Sequence, residues 1–392
     1  MTVSPIVGLG VASLALGLGI LLRRHVRLLD RLNLPPAVIG GFLFSLGGLA
    51  LHARGVTLEY DNTLRDLLMV AFFTTVGLGA RLKLLRTGGP ALVWLLVLSS
   101  VWAVFQNLLG IGLAKLMGVN ALLGIVAGSL TLTGGPATAL AFAPEFERAG
   151  VAGAPALALA AAMIGIIAGG LLGAPLATLL IARRNLAAEA ASGARAQDAL
   201  APAGETPALP FNELFVLTVA MSLGALLGSW LTAHRIVLPG YIGAMIVAGV
   251  LRNLNDRFGW LRLSDRTITA LGTLALAWFI ALALVGLKLW EIAALALPLA
   301  VILAAQIAFI LATTYWVIFR LVGKDYEAAV ISGGFVGYML GITPNAVANM
   351  DALAEKYGAA PRAYLVVPVV AAFLIDFTNA LIITRMMAWF AD

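Results

Sequence analysis

The chain has 392 residues, 61% of them hydrophobic and 11% charged, and its mean hydropathy is +1.01. A water-soluble protein of this size has no way to hide so much apolar surface, so the composition defines an integral membrane protein. With no cysteine, disulfides, thiolate chemistry and cysteine-held metal centres are excluded. The net charge of +6 sits mostly in short loops, which marks membrane topology rather than nucleic-acid binding. His25, His52 and His234 lie near segment ends and in no HExxH spacing, so zinc hydrolase chemistry has no support and no enzymatic activity is expected.

The first apolar run, 5–22, follows no basic residue, which predicts a retained helix rather than a cleaved leader. Spanning runs follow at 36–53, 66–80, 89–117 and 152–182. Between the last two lies 121–143, apolar but interrupted by Thr131, Thr133, Gly134, Gly135, Pro136 and Thr138. Residues 183–211 are polar and rich in Ala, Pro and Gly, and they read as a flexible cytoplasmic linker. Five further runs come after it, at 212–233, 238–252, 268–288, 291–320 and 361–388. A second interrupted stretch, 327–350, carries Gly341, Thr343, Pro344, Asn345 and Asn349.

The two interrupted stretches align at an offset of 208 residues: Pro136 lies on Pro344, Glu147 on Glu355 and Gly150 on Gly358. LPPAVIG (34–40) likewise resembles LPGYIG (238–243). Lipid cannot satisfy a freed backbone N–H or C=O, so a broken helix survives in a membrane only when buried in protein or lining a cavity. Paired breaks in the two halves of a chain therefore point to a transport site. Most Lys and Arg fall on one side if each stretch enters and leaves the membrane on the same face. The predicted fold is an all-α membrane protein with ten transmembrane helices in two inverted five-helix repeats, 1–182 and 212–392. Each repeat contains a re-entrant hairpin, and both termini are periplasmic. Ordinary kinked spanning helices are the alternative, and small residues that only tighten helix packing are a second.

Freed helix N-termini at such tips suit an anion, and freed carbonyls suit a small cation such as sodium. Asp376 is the one carboxylate near the middle of a predicted span, where a charge costs roughly 2.5–3.5 kcal/mol and needs a cation or a polar partner. Asn379 lies one turn further on. At the offset of 208 the mate of Asp376 is Ala168, so the halves are not equivalent here. Gln106 and Gln306 are isolated polar residues in apolar helices, adequately explained by interhelical hydrogen bonds, with a supporting role at the site as the other reading.

The segments LRDLLMVAFFTTVGL (64–78), LTLTGGPATA (130–139), LVGLKLWEIAALALPLAVILAAQ (284–306), TPNAVANM (343–350) and VVPVVAAFLIDFTNALI (366–382) resemble the bacterial sodium/glutamate symporters. The likeness runs over nearly the full length and departs at Pro136 and Ala137, where that family usually carries His and Gly. It implies sodium-coupled import of L-glutamate or a related small anionic amino acid, no cofactor beyond the coupling ion, a bacterial inner-membrane location and a homodimer. Substrate contacts fall on Thr131, Thr133, Gly134, Gly135, Pro136, Thr138, Gly341, Thr343, Pro344 and Asn345. Sodium contacts fall on Asn349, Asp376 and Asn379. A cation/proton antiporter and a symporter of a different small dicarboxylate are the alternative functions. The first usually needs two titratable groups deep in the membrane, and Asp376 stands alone.

Overall fold

A computed structural model describes residues 2–31, 34–186, 211–233, 239–289 and 295–390. Most of the predicted linker (187–210), His234 and the extreme starts of the runs at 238 and 291 lie outside the described residues.

A helix stands at each of the ten predicted runs. In the first half these are α1 (Pro5–His25), a short α2 (Arg27–Arg31), α3 (Pro36–His52), α4 (Thr63–Gly79), α5 (Leu82–Leu116) and, after the first interrupted stretch, α8 (Ala154–Arg184). That stretch forms α6 (Leu122–Ile125), a π-helical turn at Val126–Leu130 and α7 (Gly135–Arg148). The second half contains α9 (Phe211–Ala233), α10 (Gly240–Phe258), α11 (Asp265–Val285), α12 (Ala296–Thr313), a π-turn at Thr314–Ile318 and α13 (Phe319–Leu321). Its interrupted stretch is α14 (Tyr326–Met339) followed by α15 (Thr343–Tyr357). The last helix is α16 (Pro361–Val369), a π-turn at Val370–Leu374 and α17 (Ile375–Phe390).

Among the described residues seven helices are long and apolar enough to cross a membrane, and α3 is a shorter apolar one. With α4 and α10 these occupy all ten predicted runs. One detail departs from a purely helical chain. β1 (Thr2–Val3) pairs in parallel with β2 (Glu59–Tyr60), tying the start of the chain to the loop before α4.

Local sequence explains most boundaries. Pro36, Pro136, Pro344 and Pro361 sit in the first turn of their helices, where the missing N–H costs nothing. Gly89 (φ 61°) and Pro90 break the start of α5. Pro368 withdraws a donor just before the π-turn at Val370–Leu374, a place where the hydrogen-bond ladder widens.

The helices sort into two bundles. In one, α1, α3, α4, α9, α10 and α11 pack on each other; in the other, α5 to α8 pack with α12 to α17. The principal crossings are α7 against α11 and α4 against the Val370–Leu374 turn, where Gly79 leaves room for the Phe373 ring. The first bundle is tied at one end by a charge network that the sequence did not announce. Arg81 contacts Asp256 and Asp265 at 2.6 Å each, and Arg252, 2% exposed, contacts the same two carboxylates at 3.1 and 2.6 Å. Both arginines look like ordinary loop charges in one dimension; the fold gathers them with two acids from α10 and α11.

In the second bundle small residues permit close approach. A Cβ on Gly165 would meet the Leu340 carbonyl at 2.3 Å, and one on Gly169 would meet the Gly337 carbonyl at 2.9 Å. On Gly173 it would meet Asn349 Nδ2 at 2.1 Å. This stripe, spaced by four on α8, seats the second interrupted stretch.

Candidate transport site

Both interrupted stretches lie inside the second bundle, and their break points touch. Gly135 has a φ of 64°, a left-handed conformation that glycine adopts without strain. A Cβ there would stand 3.1 Å from Ile342 Cγ2 and 3.6 Å from the Gly341 carbonyl. Helix α7 begins at Gly135 and α15 at Thr343, so two helix N-termini lie side by side at the contact. Helix N-termini carry unsatisfied amides and a positive dipole end, a chemistry suited to an anion.

The tips are also joined through one side chain. Gln106, on α5 and fully buried, accepts the Thr133 hydroxyl at Oε1 (2.8 Å) and donates from Nε2 to the Met339 carbonyl (3.0 Å). Its own carbonyl accepts from Gln306 Nε2 at 2.6 Å. Gln106 and Gln306 therefore hold both tips to α5 and α12, a larger part than their isolated positions in the sequence suggest.

Within the first tip the backbone leaves helical geometry at Gly128 (φ −106°, ψ −132°). The Thr131 hydroxyl donates to the Val126 carbonyl (2.7 Å), and the Gly134 amide donates to the Ser129 carbonyl (3.0 Å). Thr138 is buried on the first turn of α7, against Gly134. Pro136 is buried beside it, without an amide of its own to offer.

In the second tip Thr343 donates to the Ala371 carbonyl (2.8 Å), within the π-turn that precedes α17. Asn345 donates to the Ile166 carbonyl (2.7 Å), and Asn349 donates to the carbonyls of Gly169 (2.9 Å) and Gly333 (3.3 Å). The amide nitrogens of both asparagines thus fasten α15 to α8. Gly341 is buried, whereas Pro344 is exposed.

Asp376 opens α17, half-buried, and no salt bridge among the described residues pairs it with a cation. Asn379 is buried and donates to the Ser129 carbonyl at 2.9 Å, so α17 reaches the first tip directly. Two further residues belong to this junction. Asn107 accepts the Ser129 amide at 2.8 Å, and Tyr241 stacks on Phe73 (4.0 Å) and meets Phe142 of α7 edge-on (5.7 Å). Asn107 is legible as one of a buried polar pair with Gln106. Tyr241 lies in LPGYIG, the repeat partner of LPPAVIG.

Two broken segments meeting tip to tip inside a bundle of apolar helices are the architecture of a secondary transporter. The chain belongs to the sodium/glutamate symporter family: residues 1–359 match the family described as Sodium/glutamate symporter. Over 382 residues it is 37% identical to the sodium/glutamate symporter of Escherichia coli strain K12, covering 95% of this chain and 94% of that protein. The symporter of the same name from Haemophilus influenzae is 35% identical with the same coverage.

Proposed function

We propose that this protein imports L-glutamate, or a closely related small anionic amino acid, by coupling it to sodium entry. The observation that carries the reading is the meeting of the α7 and α15 N-termini at Gly135 and Ile342, inside a chain that belongs to the sodium/glutamate symporter family. The substrate carboxylates are held by backbone amides and hydroxyls of the tips, from Thr131, Thr133, Gly134, Gly135, Pro136 and Thr138 on one side and Gly341, Thr343, Pro344 and Asn345 on the other. Asn349, Asp376 and Asn379 serve the coupling ion, with Gln106 and Gln306 as polar support. No cofactor besides sodium takes part, and nothing is chemically transformed.

The ten helices span a bacterial inner membrane as two inverted five-helix repeats, 1–182 and 212–392. The interrupted stretches are re-entrant hairpins, 183–211 is a cytoplasmic linker, both termini are periplasmic and the protein is a homodimer. Support comes from the order of elements, which recurs at nearly the sequence offset: α3 with α10, α4 with α11, α7 with α15, and α8 with α16 and α17. The bundle holding both tips is the one that carries substrate across, since its principal contacts with the other bundle are few. Two exposed positions just after the two interrupted stretches test the inverted topology. Ala152→Cys, after the first hairpin, is expected to react with an impermeant maleimide from the periplasm, and Ala359→Cys, after the second, only from the cytoplasm. Labelling of both from one face overturns the inversion.

Energetics set the coupling. Each sodium contributes about 1.4 kcal/mol per tenfold gradient. Each net charge adds about 2.3 kcal/mol per 100 mV. One sodium with a monoanion moves no net charge, so steep accumulation requires at least two. In proteoliposomes a sodium gradient is expected to drive electrogenic L-glutamate uptake in preference to D-glutamate, aspartate and simple dicarboxylates. A preference for a dicarboxylate would reassign the substrate, and sodium-driven proton flux without uptake would establish an antiporter.

A further inference from the structure

We infer that Ser129 and Asn379 form the oxygen core of a sodium site at the break in the first hairpin, with Asp376 supplying its charge. The inference rests on the sodium-coupled reading and adds Ser129 as a ligand. Both side chains are fully buried, and they sit on residues joined by the 2.9 Å bond from Asn379 Nδ2 to the Ser129 carbonyl. The Ser129 main chain is already committed: its amide donates to Asn107 Oδ1, and its carbonyl also accepts from Gly134. Ser129 Oγ and Asn379 Oδ1, by contrast, have no hydrogen-bond partner among the described residues.

Buried polar atoms are ordinarily paired, so two unmet oxygens on touching residues ask for a ligand. A cation answers both at once, because a hydroxyl and an amide oxygen are hard ligands with lone pairs to give. The helix ladder is broken next door at Gly128, so irregular backbone is available to complete the shell. Asp376 lies one turn before Asn379 on α17 and provides one negative charge. A single carboxylate with neutral oxygens suits a monovalent ion, and no cluster of three acidic or His side chains occurs among the described residues. The other half of the chain lacks the set: at the offset of 208, Gly337 stands opposite Ser129, Ala168 opposite Asp376 and Leu171 opposite Asn379. The site is therefore single and asymmetric.

The test uses the full chain in proteoliposomes, with the wild type, Ser129→Ala and Ser129→Thr. Ser129→Ala is expected to raise the sodium concentration for half-maximal uptake about fivefold (about 1 kcal/mol) and to alter the sodium-to-lithium preference. Uptake at saturating sodium should be largely retained. Ser129→Thr keeps the hydroxyl and should restore sodium dependence, which loss of fold in the alanine variant could not explain. In detergent without glutamate, sodium should stabilise the wild type and the threonine variant against heating, and the alanine variant less. Unchanged sodium dependence and ion preference in Ser129→Ala, in a sodium-driven wild type, overturn this site alone. A wild type whose uptake ignores sodium overturns the coupling itself.

Discussion

Gln106→Ala is expected to slow sodium-driven uptake by roughly tenfold or more, the rate equivalent of about 1.4 kcal/mol. This side chain touches both tips, through the Thr133 hydroxyl on the first and the Met339 carbonyl on the second, beside a weaker direct contact from Thr133 to the Met339 sulfur. Alanine strips the partner from two buried groups at once, each costing about 1–3 kcal/mol when left unmet. It also frees the α7 N-terminus to move relative to that of α15, and the anion site proposed for these two helix ends depends on their spacing. Gln106→Glu is a sharper variant. A carboxylate still accepts from Thr133 but offers the Met339 carbonyl no donor, so it should fail almost as badly despite its matched size. Initial uptake rates, normalised to folded protein by melting temperature and gel filtration, decide the matter. Rates within twofold of wild type for both variants would mean that the tips do not need this bridge.

Asp376→Asn is expected to raise the half-saturating sodium concentration by roughly tenfold (about 1.4 kcal/mol) or to abolish uptake. The residue opens α17 inside a long apolar helix, immediately after a π-turn, and no salt bridge among the described residues neutralises it. A charge at such depth costs roughly 2.5–3.5 kcal/mol and marks function unless it is paired. Asparagine preserves shape and one acceptor oxygen while removing the charge, so the fold should survive and the loss should fall on the ion. The measurement is sodium activation of L-glutamate uptake at fixed membrane potential. Sodium dependence identical to wild type would remove Asp376 from the coupling mechanism.

Much of this protein is legible in one dimension. The ten apolar runs, the paired breaks at Pro136 and Pro344, the asymmetry between Asp376 and Ala168, and the family likeness all come from the order of residues. The reason is physical: in lipid each segment must satisfy its own backbone, so length, apolarity and Gly/Pro punctuation act locally. Pro136 and Pro344 mark the first turns of α7 and α15 for the same reason.

Which polar atoms meet is another matter. Asn379 and Ser129 are 250 residues apart, and Gln106 and Met339 are 233 apart. Nothing local distinguishes a glutamine that bridges two broken segments from one that ties two neighbouring helices. Arg252 likewise counts as one more charge at a segment end until α10, which carries it and Asp256, packs beside Asp265 of α11. The tertiary structure also decided the division into two bundles, because helices of similar apolarity choose partners by the fit of small residues such as Gly165, Gly169 and Gly173, not by hydrophobicity. The sequence by itself determined that the chain is a membrane protein with two broken segments. Packing across long distances decided that the segments meet, what joins them and which buried oxygens are left without a hydrogen-bond partner.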